Sequence, residues 1–94
     1  MINQERMDII GMIDDRFGEL VELLKKERGD TLQELSDKTN LSPSYIYRLI
    51  KGYRGCELTT KLNILLNGFG KQKEAELYLR TVIENKETLR KILD

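Results

Sequence analysis

The side chains best suited to chemistry lie between residues 43 and 56. There Ser44, Tyr45, Tyr47, Arg48, Lys51, Tyr53 and Arg54 follow one another with three bases and no acid. Hydroxyl and guanidinium donors, an ammonium and aromatic rings recognise partners by hydrogen bonding, charge and stacking. The chain contains no histidine, the commonest general base and metal ligand, and a single cysteine, Cys56. No cysteine cluster, glycine-rich phosphate loop or nucleophile motif compensates, and the carboxylates recur at helical spacings among lysines, as solvated faces do. Neither an enzyme nor a cofactor or metal is expected.

Sixteen Lys and Arg balance 16 Asp and Glu, a sum that argues against a polyanionic partner. Distribution matters more than the sum. Residues 1–24 hold six acids (Glu5, Asp8, Asp14, Asp15, Glu19, Glu22) against two bases, Arg6 and Arg16. The stretch from 43 to 56 therefore forms a separate basic face.

Two short helices must position that face. Thr31 and Glu34 make a Thr-x-x-Glu capping box, which starts a helix at about Thr31, with Leu35 as its buried side. Ser36 beside it is small enough to admit a second helix. Asn40 tolerates the positive φ needed to reverse the chain, so the helix stops at about Thr39. Leu41 plugs the turn. Ser42 and Pro43 then supply a capping hydroxyl and a first-turn proline. Ile46 and Leu49 face inward, and Gly52 closes the second helix. The result is a helix-turn-helix.

At Thr31, Glu34, Leu35, Leu41, Ser42, Ile46, Leu49 and Gly52 the chain resembles the Cro and phage-repressor (lambda-repressor-like, XRE) helix-turn-helix family over roughly residues 17–70. It departs at Ser36 (usually alanine), Asn40 (usually glycine), Ile50 (often acidic) and Leu32 (often a phosphate-binding glutamine). The resemblance implies an all-α, lambda-repressor-like bundle of about five helices, with an added N-terminal helical segment and a long C-terminal amphipathic helix. It also implies that Pro43, Ser44 and Arg48 face bases in a major groove. Ser44 and Arg48 would read hydrogen bonds, Arg48 being suited to a bidentate contact with guanine. Tyr45 and Tyr47 would reach thymine methyls or phosphates. Thr31, Lys51, Tyr53 and Arg54 would touch the DNA backbone.

Flanking this core, residues 4–28 carry a helical seam at Ile10, Ile13, Phe17, Leu20 and Leu24, thickened by Met7, Ile9, Val21 and Leu23. Residues 1–16 are the added segment, and either Gly11 or Gly18 could mark its break from the family's first helix. The seam either covers the core or binds a partner chain. Gly29 and Asp30 end it, and Lys25, Lys26 and Arg28 complement the helix dipole. Cys56 reads as a small, partly buried side chain. Leu58, Leu62, Ile64, Leu65 and Leu66 form a further helix closed by Asn67 and Gly68, after which Phe69 inserts into the core. From Gln72 onward, Ala75, Leu79, Val82, Leu89 and Leu93 mark a last helix of about six turns. Its distal half, through Val82, Leu89 and Leu93, is expected to pair with a second copy; the alternative is packing against the added N-terminal helix.

Ninety-four residues suffice for one domain with a real core. One cysteine, no apolar run near 20 residues and no signal-peptide core lead us to expect a soluble, cytoplasmic protein. The resemblance implies a bacterial, phage or plasmid regulator, expected to be a repressor that binds double-stranded DNA as a homodimer, without a small-molecule ligand. The competing expectation is a protein-interaction module, an anti-repressor or a polymerase- or regulator-binding protein, using the same fold and its acidic N-terminal segment.

Overall fold

A computed structural model describes residues 4–93, with side chains for residues 9–86 and 90–92. Among the described residues the fold is all-α. The order is α1 (Gln4–Asp15), α2 (Phe17–Arg28), α3 (Leu32–Thr39), α4 (Pro43–Ile50), α5 (Leu58–Asn63), a π-helical turn (Ile64–Gly68) and α6 (Gln72–Leu93).

The core is one apolar cluster to which nearly every element contributes: Ile9 and Ile13 from α1, Phe17, Leu20, Val21 and Leu24 from α2, Leu35 from α3, Ile46 and Leu49 from α4, Ile64 and Leu65 from the π-turn, and Ala75 and Tyr78 from α6, with Phe69 between. Helix α2 is the common wall, touching α1 on one side and α4 on the other. Its boundaries correct one expectation. The break from α1 falls at Arg16, which leaves helical geometry at φ −131° and ψ 37°, and not at Gly11 or Gly18. Arg16 then holds Glu19 through Nε at 2.9 Å and Nη2 at 2.7 Å.

At its other end α2 closes in a Schellman motif: Gly29 sits at φ 71°, its N–H bonds the Lys26 carbonyl and Asp30 N–H bonds that of Lys25. Arg28 is more than a solvated charge, because Nη1 donates to the Phe69 carbonyl at 2.8 Å. The mostly buried Asp30 carboxylate in turn takes Lys38 at 3.2 Å, tying the end of α2 to α3.

The helical pattern over residues 58–66 holds with one change. The chain widens into a π-turn at Ile64, which buries Ile64 and Leu65 but leaves Leu66 42% exposed, so Leu66 is not part of the inner face. Gly68 is used there for close approach, since a Cβ would come within 2.9 Å of Leu35 Cδ1. Phe69 is buried, as its position predicts.

Helix α6 divides in two. Ala75 and Tyr78 lie in the core, and Tyr78 Oη donates to the carboxylate of Asp14 on α1. Among the described residues of α6, Val82 is the last one packed on the core. Beyond it residues 83–86 and 90–92 are exposed, including Ile83 and Ile92.

Candidate nucleic-acid interface

The interface is built outward from two caps and a turn. Thr31 Oγ1 accepts from Glu34 N–H at 3.1 Å while Glu34 Oε1 accepts from Thr31 N–H at 3.0 Å, completing the capping box. Thr31 remains exposed, and since its oxygen serves the cap as an acceptor, its O–H proton is left to donate. Leu32, in place of the family's glutamine, is half-buried and packs on the core, so it offers no phosphate contact.

Asn40 reverses the chain at φ 61°, with its N–H on the Ser36 carbonyl at 2.8 Å. Ser36 then bridges the turn, its Oγ donating to the Leu41 carbonyl. The hydroxyl that replaces alanine therefore adds a fastening across the turn. From α5, Asn63 Nδ2 donates to the Thr39 carbonyl at 2.8 Å, satisfying the open end of α3. Nothing local in the sequence marks Asn63 for this role, because its partner is 24 residues away.

Helix α4 opens with Ser42 Oγ accepting from Tyr45 N–H at 3.1 Å and with Pro43 in its first turn. It ends in a second Schellman motif: Gly52 at φ 77°, Gly52 N–H on the Leu49 carbonyl at 3.1 Å and Tyr53 N–H on that of Arg48 at 2.9 Å. Ile46 and Leu49 are buried. That rotation leaves Ser44, Tyr47 and Arg48 exposed on the outer side, while Tyr45 is half-buried. Ile50, where an acid is common, packs on the core.

One residue of α2 fixes how deeply α4 sits. A Cβ on Gly18 would lie 2.1 Å from the Leu49 carbonyl oxygen and 3.1 Å from its carbon. The two helices touch backbone to backbone there. Spacing alone could not reveal this, since a glycine two residues into a helix reads first as a weakness.

Lys51, Tyr53 and Arg54 are exposed around the exit of α4. The Arg54 guanidinium carbon lies 4.1 Å from the centre of the Tyr45 ring, and Lys51 Nζ lies 5.6 Å from that of Tyr47. Among the described residues, none of Arg48, Lys51 and Arg54 is held in an ion pair. The exit loop also borders a cleft of about 490 Å³, with Asp14, Asp15 and Glu19 on one wall and Lys51, Arg54 and Lys61 on another. Cys56 lies in that cleft, half-buried, and burial pushes its thiol above the ordinary range against the pull of Lys61 and Arg54. A thiol so shifted is a poor redox sensor.

The expected pairing residues fare differently. Val82 is half-buried against its own core, whereas the side chains of Leu89 and Leu93 lie outside the described residues. Among the described residues no cluster of acids and cysteine could hold a metal, and no helix is long and apolar enough to cross a membrane.

An eight-residue helix with a polar outer face, held by an eight-residue partner across a turn at Asn40, is a helix-turn-helix seated in an all-α bundle. Residues 20–56 match the family model for the helix-turn-helix of the XRE, Cro and lambda-repressor type, and the chain carries that motif. The family binds DNA and is non-enzymatic, so the match supports a DNA-binding regulator. No curated protein and no solved structure matches the chain.

Proposed function

We propose that this chain is a sequence-specific transcriptional repressor that occupies an inverted-repeat operator as a homodimer. The observation that carries the reading is the outer face of α4: Ser44 and Arg48 are exposed on one helix, no carboxylate among the described residues competes for Arg48, and Lys51 and Arg54 flank it. Laid in a major groove, α4 would direct Ser44 and Arg48 at base edges, with Arg48 suited to the O6 and N7 of guanine. Tyr47 would reach a thymine methyl or a phosphate. Thr31, Lys51, Tyr53 and Arg54 would hold the phosphate backbone and set register. A single α4 buries little surface, so useful affinity needs two copies on half-sites ~34 Å apart. Residues 83–86 and 90–92 of α6 are exposed, Ile83 and Ile92 among them, which supports pairing through residues 82–93.

Selection of bound sequences from a random duplex library, repeated with Arg48→Ala, tests this. The expected outcome is an inverted repeat whose affinity falls steeply with salt. Arg48→Ala should cost ~1–3 kcal/mol and relax one base position in each half-site. An unchanged site preference removes Arg48 as a base reader. No enrichment, with negligible binding even in low salt, ends the DNA reading and moves the search to protein partners.

A further inference from the structure

The tyrosines of α4 are not equivalent. Tyr47 is 46% exposed and its cation, Lys51, is 5.6 Å from the ring centre. Tyr45 is half-buried, packs against the core and has its backbone N–H fixed by the Ser42 cap. Arg54 lies on the Tyr45 ring at 4.1 Å, well inside the ~6 Å limit for a cation–π contact. A ring packed on the core and covered by a guanidinium is poorly placed to meet a thymine methyl.

We propose that Tyr45 is the positioning residue for Arg54, and that its ring holds the guanidinium ready for a DNA phosphate instead of reading a base itself. This deepens the operator-binding reading and rests on it. A cation–π contact made through the guanidinium carbon takes up none of the terminal N–H groups in a hydrogen bond to oxygen. Only Nε is drawn aside, by a long 3.4 Å contact to the Gly55 carbonyl. Arg54 leaves the α4 exit between Gly52 and Gly55, and an arginine in such a loop would otherwise lose much rotamer freedom on gripping a phosphate. Stacking on Tyr45 removes much of that loss beforehand, which is how pre-organisation raises affinity. A phosphate contact carries no sequence information. Tyr45 therefore contributes to affinity and to salt dependence, and not to base choice.

The test is a double-substitution cycle on the full chain with the selected operator, following binding by fluorescence anisotropy from low to high salt, with each variant's unfolding recorded. Tyr45→Leu should weaken binding roughly fivefold, the order of a partly desolvated cation–π contact. It should do so equally on every operator variant and lower the salt slope by no more than the roughly one unit that Arg54→Ala removes. Tyr45→Phe keeps the ring and should bind like the parent, including its salt slope. In an Arg54→Ala background, Tyr45→Leu should cost almost nothing more. Arg54 is exposed, so Arg54→Ala alone should fold like the parent, and its loss of affinity and of salt slope is read independently of the Leu variant. The proposal is overturned if Tyr45→Leu relaxes a base position, if Tyr45→Phe loses as much as Tyr45→Leu, or if the two substitutions add independently. Each of those leaves operator binding by the parent intact, whereas a parent that binds no duplex overturns the operator reading and this proposal together.

Discussion

The turn motif at residues 31–52 and the pair formed by α1 and α6 are fastened in opposite ways. In the motif, the fastenings span three to five residues: Thr31 with Glu34, Asn40 with Ser36, Ser36 with Leu41, Ser42 with Tyr45, and Gly52 and Tyr53 with Leu49 and Arg48. Between α1 and α6 the polar link, Tyr78 to Asp14, spans 64 residues. Local fastenings fix the shape of the helix-turn-helix, and each is worth about 1 kcal/mol. The α1 and α6 pair takes its shape from burial and from links between residues far apart in sequence. The polar face is thus presented by the part of the molecule whose geometry depends least on distant residues, with two exceptions, the Asn63 bond to the Thr39 carbonyl and the close approach at Gly18.

Of the two, Gly18 gives the largest expected effect. Gly18→Ala drives a methyl to 2.1 Å from the Leu49 carbonyl oxygen, and a backbone atom cannot swing aside as a side chain can. The helix propensity gained, up to ~1 kcal/mol, is outweighed. A net loss of ~2–3 kcal/mol is expected, lowering the midpoint of thermal unfolding by roughly 10–20 °C in a domain of this size. Gly11→Ala is the matched control in the other region. Its Cβ meets nothing within 4 Å, so the same change should stabilise by ~0.5–1 kcal/mol. Circular dichroism melts of both variants decide it, and a Gly18→Ala variant that melts as high as or higher than the parent would mean that α2 and α4 are not in backbone contact.

Next in size is Thr31→Ala. It removes the acceptor of Glu34 N–H and should cost ~1 kcal/mol. On the operator-binding reading it should also weaken DNA binding by more than the stability change explains, because the hydroxyl proton directed at the backbone is lost with the cap. Binding measured well below the melting point separates the two effects, and a stability loss with affinity untouched assigns Thr31 to the cap alone.

The same division explains what could be read from the residues in order. Thr31 with Glu34, Ser42 with Pro43, and Gly52 announce caps because capping chemistry is written within four residues of where it acts. The outward placement of Ser44 and Arg48 follows from Ile46 and Leu49 turning inward at helical spacing. Long-range roles leave no such trace. Asn63 is one polar residue among others until Thr39 is brought beside it. The apolar spacing marks Leu79, yet its neighbour Tyr78 is in the core and Leu79 is only half-buried, because an amphipathic side chain is buried only where its hydroxyl finds a partner. Gly18 misleads in a third way. A glycine in a helix signals weakness or close approach with the same letter, and only the facing backbone tells them apart. The stacking of Arg54 on Tyr45 is likewise invisible, since nine residues and a glycine turn separate them.

The smallest effect concerns Tyr78, and its pH dependence isolates the long-range link. Burial first, then the hydrogen bond to Asp14 and the charge of that carboxylate, push the Tyr78 phenol up from 10.0 to about 12. The folded state therefore keeps a proton that the unfolded chain releases near pH 10, and it is stabilised by the difference. That contribution is complete below about pH 10 and is lost as pH rises toward 12, where a phenolate would face a carboxylate. Tyr78→Phe deletes the titrating group while keeping the ring in the core. At neutral pH it should cost no more than ~1 kcal/mol, since the exposed Asp14 carboxylate regains water. Between pH 10 and 12 the parent should lose stability faster than the variant, so the two unfolding profiles converge. Lysine deprotonation acts on both alike and cancels in the comparison. Thr31→Ala, measured beside it, should run parallel to the parent over the same range, because no titrating group is removed. If the Tyr78→Phe profile also stays parallel to the parent, the contact between Tyr78 and Asp14 is not what joins α6 to α1.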